Sequence, residues 1–155
     1  MSERIALRTA TQRDRERIRT WVRRPEVANA MGSGRCDDPV PPDDGGQVFM
    51  MIRRRDDEPI GYIELRDMKH GRRAAELLMC IGDPADRGRG YGPEALEELK
   101  HVLPHVGLDA VYLRVFTDND VAVRCYEKAG FTKTAVQEGT LRRDAPSKYL
   151  MEYWV

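Results

Sequence analysis

The sequence predicts an α/β domain of about seven strands with helices packed on the sheet. Three observations lead there. The apolar run Leu77-Leu78-Met79-Cys80-Ile81 is followed by a turn punctuated by Gly88, Gly90 and Gly92, then by a helix-forming segment. Upstream, residues 47–81 hold three apolar runs separated by short polar turns, the pattern of an antiparallel meander. Downstream, the amphipathic segment 119–129 stops at Gly130 and is flanked by β-rich runs. The order is β-α-β-β-β-α-β-α-β-β, and 155 residues suit one domain over 1–155.

The elements run in sequence order. Ile5-Ala6-Leu7-Arg8 reads as a first strand. Residues 11–31 space Ile18, Trp21, Val22, Val27 and Met31 at helical intervals, with a break before Pro25. Residues 32–46 collect glycine, proline and four aspartates, which predicts a loop long enough to be functional or mobile. Gln47–Arg55 and Ile60–Asp67 read as strands around the turn Asp56-Asp57-Glu58-Pro59. Met68–Arg73 is a second turn and Ala74–Ile81 a third strand. A helix runs from about Tyr91 to Leu103 and stops at Pro104, with Ala95, Leu96, Leu99, Val102 and Leu103 on its apolar face. Ala110–Phe116 is a strand. Asp118 or Asn119 caps the next helix, and Gly130 ends it as a left-handed residue. Phe131–Val136 and Lys148–Trp154 close the chain as a hairpin.

Composition excludes several classes. Lysine plus arginine (26) balance aspartate plus glutamate (26), so no bulk charge recruits nucleic acid or an anionic membrane. The arginine clusters at 13–24, 53–55 and 72–73 read as solvated faces. Cys36, Cys80 and Cys125 are widely spaced and lack a Cys-x-x-Cys pattern, which argues against a metal site or a disulfide framework. His101 and His105 are separated by Pro104, and His70 stands alone. No apolar segment approaches a membrane span, and no secretory leader is visible at the N-terminus. The expectation is a soluble, cytoplasmic protein, monomer or homodimer, without a metal.

The run Asp86-Arg87-Gly88-Arg89-Gly90-Tyr91-Gly92-Pro93 carries the chemistry. A strand, a glycine turn and a helix N-terminus form an anion site. Glycines admit close backbone approach, N–H groups point outward, and the helix dipole favours negative charge. Arg87 and Arg89 add positive charge suited to phosphate, so a bound diphosphate is expected. The dinucleotide fingerprint does not fit the spacing, and no Gly-Lys-Ser/Thr comes after it for a Walker loop.

The pattern R-x-x-G-x-G, here Arg87, Gly90 and Gly92, resembles the acetyl-CoA loop of the GNAT superfamily of N-acyltransferases. Asn119, Ala122, Tyr126, Gly130 and Phe131 are similar to that family's N-x-x-A-x-x-x-Y-x-x-x-G-F segment, in register and in the family's order. Trp21-Val22-Arg23-Arg24-Pro25-Glu26-Val27 resembles the W-x-x-x-P-E-V segment of the branch with ribosomal-protein N-terminal acetyltransferases and some aminoglycoside acetyltransferases. The resemblance is strong over 74–131 and weak over 32–46 and 132–148. It implies a mixed, mostly antiparallel twisted sheet and acetyl-CoA, or another acyl-CoA, as co-substrate.

The resemblance also implies roles. The diphosphate would lie on the N–H groups of Arg87, Gly88, Arg89, Gly90, Tyr91 and Gly92; Pro93 supplies none. The strand 74–81 would splay from 110–116 and carry the pantetheine arm along Met79, Cys80 and Ile81, with a backbone N–H there as oxyanion donor. Asn119 would hydrogen-bond the arm, or serve only as a helix cap. Tyr126 would be the general acid, or a packed helical aromatic. Glu76, eleven residues before Arg87, would be the general base, or a surface charge at a strand start. Glu64 and Asp67 are reserves. Cys125 is expected to face away from Tyr126, and Ser33 lacks the setting of a nucleophile.

The activity this implies is transfer of an acetyl group to a primary amine by direct attack in a ternary complex. The acceptor would be a small or peptidic amine beside Asp37, Asp38, Asp43 and Asp44, unless that loop is simply solvated. Two rival readings keep the fold: a carrier protein's phosphopantetheine thioester as donor, and a CoA-binding sensor without catalysis.

Overall fold

The computed structural model describes residues 3–26, 47–66, 73–138 and 147–155. Seven strands form one sheet: β1 (Ile5–Thr9), β2 (Gln47–Arg53), β3 (Glu58–Arg66), β4 (Ala74–Ile81), β5 (Ala110–Phe116), β6 (Thr132–Gln137) and β7 (Lys148–Trp154). Their spatial order is β1-β2-β3-β4-β5-β7-β6. The helices are α1 (Gln12–Val22), α2 (Tyr91–Val102) and α3 (Asp120–Lys128). The expected element order and mixed sheet are both present, with β4 and β5 the parallel pair and the rest antiparallel.

Strand alternation divides the apolar residues between two layers. Ala75 and Leu77 of β4, with Ile63 and Leu65 of β3 and Leu113 and Val115 of β5, pack beneath α2 and α3, where Ala95, Leu96, Leu99 and Val123 complete the larger core. The opposite face packs Met50, Ile52, Tyr62 and Cys80 against Ile18, Trp21 and Val22 of α1. The start of α1 is held by Asp14, whose carboxylate accepts from the Thr11 N–H (2.7 Å) and from the Arg8 guanidinium (2.6 and 3.1 Å). That pairing holds the Asp14 carboxyl down at about 2, against 3.8 for an unperturbed aspartate.

Several boundaries differ from the expected ones. Glu58 and Pro59 open β3 instead of belonging to the turn, and they pair with Arg53 and Ile52. The ladder shifts register there, between Met51 and Ile52, which is where a proline without an N–H is tolerated. The turn shrinks to residues 54–57, with Asp57 at φ 56°. Gly61 comes just after the bulge because a Cβ on it would lie 2.3 Å from the Cys80 carbonyl oxygen. Beyond α2, Pro104 sits inside a 3-10 turn, Leu103–Val106, instead of ending all helical structure. Among the described residues no helix is long and apolar enough to cross a membrane. Met31, Ser33, Cys36, the four loop aspartates, Asp67 and His70 lie outside the described residues.

Candidate active site

The site begins where β4 and β5 part. Their parallel pairing covers only Ala74–Ala110, Ala75–Val111 and Glu76–Tyr112. From Leu77 onward β4 keeps β3 on one edge, and among the described residues no strand pairs with the other. The expected splay is therefore present. Leu78, Met79 and Ile81 are half-buried where Ala75, Glu76 and Leu77 are buried.

This open edge leads into a groove of about 510 Å³. Met79 and Ile81 form one wall, the segment from Arg87 to Pro93 closes one end, and α3 supplies the other wall from Asn119 to Lys128. The volume and the mostly apolar lining fall in the range of small-molecule sites.

The loop before α2 is arranged as an anion cradle. Gly90 caps the helix in a left-handed conformation, φ 83°, and Gly88 is also left-handed at φ 71°. The first α2 bond runs from the Glu94 N–H to the Gly90 carbonyl (3.4 Å). Among the described residues, none of the N–H groups of residues 88–92 makes a hydrogen bond within the chain. A row of unbonded donors at a helix N-terminus matches what a diphosphate requires.

The two loop arginines are placed differently from the simplest expectation. Arg87 donates to the carbonyls of Ile81 (3.1 Å) and Gly82 (3.4 Å), and Arg89 donates to that of Ala85 (2.7 Å). Their side chains brace the loop while their charge stays beside it. Arg4, 85 residues away in sequence from Arg89, adds a third cation. It donates to the Arg89 carbonyl (3.0 Å) and to Glu94 (2.7 Å), and lies 4.9 Å from the centre of the Tyr91 ring. No local signal marks Arg4, because its contacts are made only when β1 is laid beside α2.

On the opposite wall Asn119 caps α3, its Oδ1 accepting from the Ala122 N–H (3.3 Å). Its amide nitrogen makes no hydrogen bond among the described residues, and Asn119 lines the groove. Tyr126 lines the groove and packs edge-on against Phe131, ring centres 5.6 Å apart. Burial pushes its phenol well above the usual value, with the Cys125 and Cys80 thiols adding to the shift. Cys125 does not face away. It lines the same groove, and a Cβ on Gly92 would lie 3.6 Å from its Sγ. Because α3 crosses close to the α2 N-terminus, two adjacent helical positions both reach the groove. Burial raises the Cys125 thiol, so it stays protonated and poorly nucleophilic. The Cys80 side chain lies on the α1 face, pushed up to about 12 by burial, so only its backbone borders the open edge.

Glu76 is buried, not at the surface. It is ion-paired with Arg66 and lies 3.8 Å from Arg114. It belongs to the paired half of β4, on the α1 face and outside the groove lining. An arginine-paired carboxylate is a poorer proton acceptor than a desolvated lone one. Glu64 is a second buried carboxylate on that sheet face, level with Leu78 at the start of the opening. Among the described residues no group of three histidines, cysteines or acids is placed to hold a metal.

The cradle, the splayed strands and the groove between them define an acyltransferase architecture, and the comparisons agree. Residues 9–131 match the Acetyltransferase (GNAT) family, and the chain belongs to it. It is 38% identical over 69 residues to the N-alpha-acetyltransferase RimI of Mycobacterium tuberculosis, covering 44% of this chain and 42% of that protein. It is 32% identical over 83 residues to a spermidine N(1)-acetyltransferase of Vibrio cholerae, covering 53% of this chain and 45% of that protein. The chain thus spans less than half the length of these curated relatives. Among solved structures, spermidine N-acetyltransferase from Vibrio cholerae in complex with CoA and spermine superposes with a TM-score of 0.81 at 19% identity, over 99% of this chain and 96% of that one. Aminoglycoside acetyltransferase AAC(6')-Ib with coenzyme A and kanamycin gives 0.75 at 18%, over 97% and 94%. At those identities the likeness concerns the fold.

Proposed function

We propose that this protein is an acetyl-CoA-dependent N-acetyltransferase acting on a primary amine by direct attack. The observation that carries the reading is the row of unbonded N–H groups at residues 88–92, opening onto a groove that runs along the free edge of β4 to Tyr126. When bound, acetyl-CoA supplies an activated acyl thioester.

The chain's own groups do the rest. The N–H groups of 88–92 and the α2 dipole hold the diphosphate, with Arg4, Arg87 and Arg89 around it. The unpaired edge of β4 from Leu77 to Ile81 offers strand-like hydrogen bonds to the pantetheine amides, and Asn119 adds one from the facing helix. A β4 backbone N–H at Met79–Ile81 stabilises charge developing on the carbonyl oxygen. Tyr126 keeps its proton across the working pH range and donates it to the departing sulfur as charge develops there. Amine deprotonation falls to the buried carboxylates of the α1 face. Glu76 acts through water, because it lies outside the groove lining, and Glu64 is the alternative nearer the opening.

The relatives named for spermidine and the structures holding spermine or kanamycin support a polycationic or amine acceptor for this chain as well. A carrier-protein donor is the weaker reading, because its phosphopantetheine arm lacks the diphosphate that the unbonded N–H groups of residues 88–92 suit. The test is a mass-spectrometric screen of amines with acetyl-CoA, scoring acetylated product and released CoA together. Stoichiometric product and CoA with a polyamine or peptide amine is the expected result. CoA binding without turnover on any amine would favour the sensor reading.

A further inference from the structure

Between α1, the chain around the 54–57 turn and the 3-10 turn Pro84–Asp86 lies a further cavity of about 310 Å³. It shares no lining residue with the donor groove, and acetyl transfer as proposed uses none of its side chains. Asp56, Glu58, Asp83 and Asp86 bring four carboxylates to it, and Arg17 and Arg53 bring two guanidiniums. Arg53 is shared between Asp56 (2.8 Å) and Asp86 (2.5 Å), and Arg17 donates to Glu58 (2.8 Å). Asp83 accepts from the Ala85 N–H (2.9 Å) and meets no cation among the described residues. The cavity is therefore short of positive charge. It also holds an unused donor. Trp21 is 7% exposed and lines the cavity, and its indole N–H has no partner among the described residues. That nitrogen is not sealed within the core. It lies beside Gly82, where a Cβ would come within 2.3 Å of Nε1, one residue before Asp83. A buried tryptophan N–H ordinarily finds a partner.

Donors and acceptors reach the cavity from separate elements. Arg17 and Trp21 are four apart on α1, so they stand side by side on one helix face. Asp83 and Asp86 come from the 3-10 turn and its cap. N–H donors from one element and carboxylates from another suit a ligand that carries a carboxylate and an ammonium together. We infer that this cavity binds a free α-amino acid with a cationic side chain. Its α-carboxylate takes the Trp21 N–H and Arg17, its α-ammonium lies against Asp83 and Asp86, and its side-chain cation offsets the remaining excess of carboxylates. Hydrogen bonds between charged groups are the stronger kind. The volume stands at the small end of ligand sites, which fits a molecule of amino-acid size. The inference goes beyond acetyl transfer and does not depend on it.

The experiment is calorimetric titration of the full chain, without acetyl-CoA, with L-arginine, L-citrulline and agmatine. Citrulline replaces the side-chain cation by a neutral urea of nearly the same shape, and agmatine lacks the carboxylate. L-Arginine is expected to bind at least about tenfold more tightly than either. Two variants locate the site. Asp83→Asn keeps an acceptor for the Ala85 N–H and removes the charge, and should weaken L-arginine about tenfold. Trp21→Phe removes the N–H, and should bring L-arginine down toward agmatine while agmatine itself is unchanged. Because Trp21→Phe also trims the core, a thermal melt accompanies it. Asp83 is exposed, so Asp83→Asn decides the matter if the other variant does not fold. No binding of L-arginine overturns the inference. Agmatine or citrulline binding as tightly as L-arginine overturns the ligand class. L-Arginine binding that is unchanged in Asp83→Asn puts the ligand elsewhere on the protein and overturns the assignment of this cavity. The acetyltransferase reading stands apart from all of these results, because product and CoA release test it separately.

Discussion

The cradle reading can be tested by separating backbone strain from ligand access at two neighbouring glycines. Gly88 and Gly90 both have φ in the left-handed region, at 71° and 83°. An alanine at either site meets the same steric penalty, about 1–2 kcal/mol. In a domain of this size that corresponds to a fall in Tm of roughly 2–8 °C. The surroundings differ. A Cβ at Gly88 has nothing within 4 Å, whereas one at Gly90 lies 3.1 Å from the Arg4 guanidinium and on the helix cap itself. Gly88→Ala therefore reports strain, and Gly90→Ala reports strain plus obstruction of the cradle. Both variants should melt lower by similar amounts. CoA affinity, read by calorimetry well below the melting range, should fall at least about tenfold for Gly90→Ala, or about 1.4 kcal/mol, and much less for Gly88→Ala. If Gly90→Ala binds CoA as tightly as the unmodified chain, close backbone approach at residue 90 is not part of the donor site.

The same geometry predicts other outcomes. Tyr126→Phe should lower kcat by about 10²–10⁴-fold with the acetyl-CoA KM nearly unchanged, and an unaltered kcat would return Tyr126 to packing against Phe131. Glu76→Gln and Glu64→Gln should separate the two carboxylates. The variant that abolishes the acidic limb of the kcat/KM profile identifies the base, and persistence of the limb in both assigns it to the amine. Glu76→Gln should also destabilise the fold, because it removes the buried counter-charge of the partly exposed Arg66 guanidinium. Asp14→Asn tests the α1 cap through pH. The folded carboxyl is held at about 2 against an ordinary 3.8, so its contribution of about 2 kcal/mol is present above pH 4 and lost as pH falls toward 2. Denaturant melts should show the variant less stable at pH 7 and the gap closing at low pH; a constant gap would mean the loss is not electrostatic.

The local sequence determined the features that short-range physics controls. Alternation and helical spacing placed the strands and helices to within a few residues. Gly130 ends α3 at φ 96°, as its position after an amphipathic run required, and Asn119 caps the same helix. The glycine spacing before Tyr91 was enough to predict an anion cradle, because backbone conformation at such turns depends on the residues themselves. The bulge that draws Pro59 into β3 was not legible, since it depends on Gly61 meeting the Cys80 carbonyl across the sheet.

Only the tertiary structure decided the site's working parts. The splay of β4 from β5 is a relation between strands, and no residue pattern within either one encodes where pairing stops. Glu76 reads as an isolated acid in an apolar strand, yet its guanidinium partners come from β3 and β5. Arg4 reaches the cradle from the far end of the chain, and Cys125 joins Tyr126 in the groove because α3 crosses near Gly92. Each of these depends on packing between elements distant in sequence, where the energy comes from burial and charge pairing across the fold and not from local propensity. A sequence therefore names the residues able to do the chemistry, and packing decides which of them face one another.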